Sequence, residues 1–83
     1  MRGAGKMAND QMEMVEAWKA SKPALMDRAI GLSDTDTKKL AGIYQSAWIA
    51  ARKARYAYPA AKARGEIAVK NFIAQHQPKI VLT

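Results

Sequence analysis

From Leu40 to His76 the apolar residues recur at the spacing of an α-helix, and this constrains the fold more than any other feature of the chain. Projected at 100° per residue, Leu40, Ile43, Tyr44, Ala47, Ala51, Ala54 and Tyr58 fall within about 60° of one direction. Beyond Pro59, the residues Ala61, Gly65, Val69, Phe72, Ile73 and His76 stay in phase with Leu40. Proline removes a backbone donor and clashes one turn back, so Pro59 must either kink this helix or divide it. No Gly, Asn, Asp or Ser stands near Pro59 to make an ordinary turn. A continuous rod of about 45 residues would be roughly 65 Å long, too long for the rest of the chain to cover, and would imply self-association or a partner. A break or strong kink is therefore the better expectation.

Three further signals lie upstream. Asp10 followed by Glu13 resembles a capping box ahead of Met14, Val15 and Trp18, which predicts a helix over 9–21 that ends before Pro23. Ser21 is placed to cap a short second helix carrying Leu25, Met26, Ala29 and Ile30, stopped by Gly31. Leu32-Ser33-Asp34-Thr35-Asp36 is the clearest helix start, with an apolar residue, a Ser cap and acids facing the positive end of the dipole. The expected fold is all-α: a small bundle of three to four helices over residues 9–77, the third long and kinked or broken at Pro59. A flexible leader over residues 1–8 is expected before it, with Met7 as a natural start. A short extended tail over 78–83 should follow, its Ile80-Val81-Leu82 folding back on a core edge or adding as a strand to another chain.

Composition limits what such a bundle can be. Eighty-three residues make one domain, and 17 of them are Ala while Val, Ile, Leu and Phe together number 14. The core must be thin, and only the helix-forming strength of Ala keeps this composition from that of a disordered chain. There is no Cys and one His. Disulfides, thiolate metal sites and a thiol nucleophile are excluded, and no second His exists to build a base pair or zinc site. Gly3-Ala4-Gly5-Lys6 lacks the first Gly, the following hydroxyl and the strand of a P-loop, and Asp34 and Asp36 lack the rest of a calcium loop. Glu13 and Glu16 have the spacing of a solvated helix face, and His76 sits near a helix end. The expectation is a protein that is not an enzyme and takes no metal or cofactor. No apolar run approaches the roughly 18 residues of a membrane span, and no signal peptide is evident. A cytoplasmic protein that does not enter a membrane is expected.

Charge suggests what the chain binds. The whole chain carries +7, with a net of −1 over residues 1–36 and +8 over 37–83. The basic half should attract polyanions. Opposite the apolar stripe, Lys38, Gln45, Ile49, Arg52, Lys53 and Tyr56 share a side, flanked by Trp48 and Arg55. Arg52 and Arg55 stand four and seven residues past Trp48, so either guanidinium could lie on the indole. Lys62 and Arg64 extend the positive field. The candidate nucleic-acid or partner-binding set is thus Trp48, Arg52, Lys53, Arg55, Tyr56, Lys62 and Arg64. A plainer arrangement competes with it: a solvated basic face with Trp48 and Ile49 packed beneath the first helix. Met7, Met12, Met14 and Met26 similarly suit a gap-filled core or an adaptable docking face.

The functional expectation is a small non-enzymatic basic helical binding protein that engages a polyanionic surface, most simply nucleic-acid backbone, DNA or RNA. Contacts should go mainly to phosphates, because a helix-turn-helix register fails at Asn71, where an apolar residue is required. The alternative is a small regulator or inhibitor docking on an acidic surface of a partner protein, plausibly one that handles nucleic acid, through the same Arg and aromatic face. Homo-oligomerisation is a further option.

Overall fold

The computed structural model describes the backbone of residues 2–78 and the side chains of residues 9–78. Three helices make up this span, α1 (Arg2–Arg28), α2 (Asp34–Lys53) and α3 (Tyr58–His76), and the described residues contain no strand. Together they form a helical bundle. Asp10 meets Arg52 and Tyr58, Ser21 meets Tyr44 and Glu66, and Gln77 reaches the carbonyls of Arg28 and Ile30. These pairings set α1 and α3 running in one direction and α2 in the other. The leader expected over residues 1–8 and the tail over 78–83 extend into residues outside this description.

The two helices expected on either side of Pro23 are one. Pro23 lies inside α1, on the exposed side together with Lys19, whose carbonyl loses its usual donor. Water can serve that carbonyl, so the break that proline would force in a buried stretch is avoided. With no boundary there, Ser21 is not a cap but a buried hydroxyl in mid-helix. Asp10 is likewise interior to α1 rather than at its start, and it bonds across to the other helices. The stop at Gly31 is as expected: Gly31 takes φ of 97°, a conformation open to glycine at little cost. Ser33 caps α2, its side-chain oxygen accepting from the Asp36 amide at 3.1 Å, with Asp34 and Asp36 in the first turn.

The long third helix is divided. α2 ends at Lys53, and the Tyr56 amide bonds the Ala51 carbonyl while the Arg55 amide bonds that of Arg52. This is the paired-bond geometry that closes helices, and it needs a left-handed residue at its fifth position. Arg55 fills that position with φ of 68°. A turn without glycine was possible because an arginine bears the strain. Pro59 then falls in the first turn of α3, where its missing donor has no partner to lose. The case for self-association that rested on a continuous rod goes with the rod.

The core lies between the three helices and is thin, as the composition requires. Leu25, Leu40, Tyr44 and Val69 are its fully buried large side chains, joined by Trp48, Ile73, Ala51 and Ala61. Leu40, Tyr44 and Ala51 on α2 and Ala61, Gly65, Val69 and Ile73 on α3 are the stripe seen in the sequence. α2 and α3 form the most extensive contact, and α1 rests more on α3 than on α2. At the seam Gly65 faces the Tyr44 ring, and a Cβ there would stand 2.9 Å from two of its carbons. Only glycine fits at that point without displacing the ring.

Candidate functional site

The α2–α3 turn and the helix ends beside it hold most of the residues that the charge pattern selected, but they divide into two groups. Trp48 and Arg52 are structural. Trp48 is 2% exposed and stacks near-parallel with Tyr58, ring centroids 6.0 Å apart. It faces inward because it lies at the edge of the same buried stripe as Leu40, Tyr44 and Ala51, one turn beyond Tyr44, whereas Ile49, which the plainer arrangement placed beneath the first helix with it, is exposed. An indole in this position cannot stack on a base. Arg52 does not lie on Trp48 but over the Tyr58 ring, 4.2 Å from its centroid. Its Nη2 donates to Asp10 Oδ1 at 3.2 Å and its Nη1 to the Tyr56 carbonyl at 2.6 Å. Tyr58 donates its hydroxyl to the same Asp10 oxygen at 2.6 Å, and this bond holds the phenol above its ordinary pKa of 10.0. One carboxylate on α1 thereby holds the end of α2 and the start of α3.

Lys62 belongs to a second internal network. Its Nζ donates to Glu66 Oε2 at 2.7 Å, and Ser21 donates to that oxygen from α1, also at 2.7 Å. Tyr44 OH lies 3.1 Å from Ser21 Oγ. With the single Ser21 proton committed to Glu66, Tyr44 is the donor in that contact, and a relay runs from Tyr44 through Ser21 to Glu66. The Lys62 bond, then the Ser21 bond, hold Glu66 below its ordinary value, while the same bond raises Lys62. Burial raises the Tyr44 phenol.

Lys53, Arg55, Tyr56 and Arg64 remain on the outside. All four are exposed, and the three cations have no carboxylate partner among the described residues. Arg64 sits over the Tyr56 ring at 5.2 Å from the centroid and donates to its hydroxyl at 3.1 Å. The cation–ring pairing anticipated on α2 is thus made across the turn, by different partners. Lys53 and Arg52 also close the last turn of α2, where positive charge complements the helix dipole.

Sequence reasoning missed Asp10, Ser21, Tyr58 and Glu66 as partners. Their bonds across the bundle join residues 42 to 48 apart in sequence, or 23 for Ser21 and Tyr44, and no local pattern encodes them; only Lys62–Glu66, at i,i+4, was open to helix spacing. His76 is exposed, stacked on Phe72 at 4.0 Å with its Nδ1 2.9 Å from the Phe72 carbonyl, which closes the end of α3. Among the described residues no cluster of His, Asp and Glu could hold a metal ion, and no described helix is long and apolar enough to cross a membrane. Comparison of the chain with protein-family models, with curated proteins and with solved structures finds no match.

Proposed function

We propose that this is a small non-enzymatic protein that grips a polyanion, most simply the phosphate backbone of DNA or RNA, at its α2–α3 turn. The observation that carries this reading is Arg64 over the exposed ring of Tyr56, with Arg55 next to that ring in the turn and Lys53 at the end of α2, the three cations exposed and without carboxylate partners among the described residues. Each cation can meet a phosphate, the two arginines with a bidentate fork, and the ring offers a stacking surface for an unpaired base. Arg55 adds a second argument. A left-handed conformation favours glycine, and an arginine held there at a cost in backbone energy keeps its guanidinium at the apex of the turn. Trp48, Arg52 and Lys62 support the surface from within rather than touching the ligand.

Titration of mixed-sequence duplex DNA and of single-stranded RNA at two salt concentrations tests the reading. Three phosphate contacts on duplex DNA predict a roughly 40-fold loss of affinity between about 50 and 200 mM salt. Replacing both Arg55 and Arg64 by Ala should abolish most binding at the lower salt while leaving helix content intact. Unchanged binding in that variant, or none by the parent at low salt, overturns the proposal. In the second case the docking of a regulator or inhibitor on an acidic partner protein becomes the better reading. The Arg64–Tyr56 pair favours it, since arginine and tyrosine are the commonest interface anchors.

A further inference from the structure

A groove of about 400 Å³ runs between α2 and α3, and no residue of α1 lines it. It falls within the range of small-ligand sites between bundle helices. Its sides come from positions that helical spacing puts on one face, Ala47, Ala50 and Ala54 along α2 and its end, and Ala68 and Asn71 along α3. Ala47 and Ala68 are half-buried and Ala50 is exposed, so the floor is shallow and made of methyl groups. Ile67 stands beside it, 50% exposed. Because α2 and α3 run in opposite directions, Tyr56 and Arg64 mark one end of the groove and Asn71 the other, about 10 Å further along α3.

The lining selects what can enter. None of the described residues along the groove is acidic, and Arg64 holds a cation at its mouth over the Tyr56 ring. Arg55, exposed between Ala54 and Tyr56, adds a second cation at that end. Asn71 is exposed and its amide makes no hydrogen bond among the described residues, so it offers a donor and an acceptor together. A matching ligand carries an anion at one end, a flat apolar face in the middle and an edge of mixed donors and acceptors at the other. A nucleotide has these three parts in this order. In a duplex the base faces are stacked and the pairing edges are taken, so only an unpaired nucleotide can present them all. We infer that the α2–α3 groove receives the base of an unpaired nucleotide, its phosphates on Arg55 and Arg64 and its edge toward Asn71, which makes the ligand single-stranded nucleic acid. The phosphate end is the polyanion surface itself, Arg55, Tyr56 and Arg64 belonging to both, so the base site rests on that reading.

The test titrates the full chain, at about 50 mM salt, into two fluorescently labelled strands, one of about ten thymidines and one of the same length whose sugars carry no base. Both strands bring the same phosphates, and anisotropy reads the affinity of each. The thymidine strand should bind at least about tenfold more tightly. Ala50→Leu fills the groove from an exposed position of α2 with a good helix former. It should bring the thymidine strand down to the affinity of the abasic strand and leave the latter unchanged. Asn71→Ala should weaken the thymidine strand by about fivefold without affecting the abasic one, a second measurement if the Leu variant folds poorly. Equal binding of the two strands by the parent overturns the base site and leaves the phosphate reading standing. Binding of neither strand overturns both. A preference for the thymidine strand that survives both variants puts the base on the Tyr56 ring alone and overturns the groove.

Discussion

α2 and α3 are held together differently from the way α1 is held to either. The α2–α3 seam is a close backbone approach, with the Tyr44 ring against Gly65 and small residues above and below it. α1 buries Met14 and Leu25, with Ala29 just past its end, but it is located by polar ties: Asp10 in its first half, Ser21 further along, and Gln77 bonded to the Arg28 and Ile30 carbonyls at its C-terminal end. Packing of the first kind tolerates almost no added volume and is insensitive to salt and pH. Ties of the second kind respond to both. The hairpin is therefore the durable part of the molecule, and α1 is the part that conditions can loosen.

The sharpest way to break this contrast is at the seam. Gly65→Ala should cost about 2 kcal/mol in chemical denaturation, since the buried Tyr44 ring cannot retreat far. Gly42→Ala, on the exposed side of α2 with nothing within 4 Å of the added carbon, should instead stabilise by about 0.5–1 kcal/mol. If both substitutions shift stability the same way, the close approach is not what holds the hairpin. Asp10→Ala should cost about 1 kcal/mol, discounted for its partial exposure. Hydrogen exchange would then speed up along α1 and leave α2 and α3 protected, and uniform acceleration would contradict the division drawn here.

Acid offers a gentler probe of the central tie. Glu66 has its folded pKa below the ordinary 4.5, so its stabilising effect is present above that value and is lost as pH falls through the folded value. Glu66→Gln should therefore be less stable than the parent by about 1 kcal/mol at neutral pH, and thermal unfolding should show the gap closing as the pH falls from the ordinary 4.5 through the lower folded value. A gap that persists in acid would assign the effect to packing. A change as small as that of Gly42→Ala is expected at the turn. Arg55→Gly should raise stability by about 0.5–1 kcal/mol by relieving the left-handed strain, while weakening polyanion binding.

What the sequence made legible was the part governed by local rules. Ser33 as a cap, Gly31 as a stop and the stripe from Leu40 to Ile73 follow from spacing and side-chain chemistry alone. Pro23 misled because its ring clash and lost donor cost about 3 kcal/mol without forbidding a helix, and whether the rest of the fold offsets that cost is a tertiary property. The turn at Arg55 misled because strain carried by a non-glycine residue leaves no trace in composition. Projection placed Tyr56 on a helix face, yet the helix ends at Lys53 and Tyr56 lies in the turn. Trp48 was assigned to the surface because it lies at the edge of the periodic stripe, four residues past Tyr44, where burial depends on what the neighbouring helices cover. Lys53, Arg55 and Arg64 were accessible to a charge argument since little in the fold covers them.

The Tyr44–Ser21–Glu66 relay also sets the register of the bundle. Sliding α1 by one helical turn, about 5.4 Å, would carry Ser21 away from both partners, leaving the buried Tyr44 phenol without its acceptor and Glu66 with Lys62 alone. No intermediate displacement improves matters. α1 is thus denied the gradual shear that apolar helices allow, and whatever loosens it must release it as a unit.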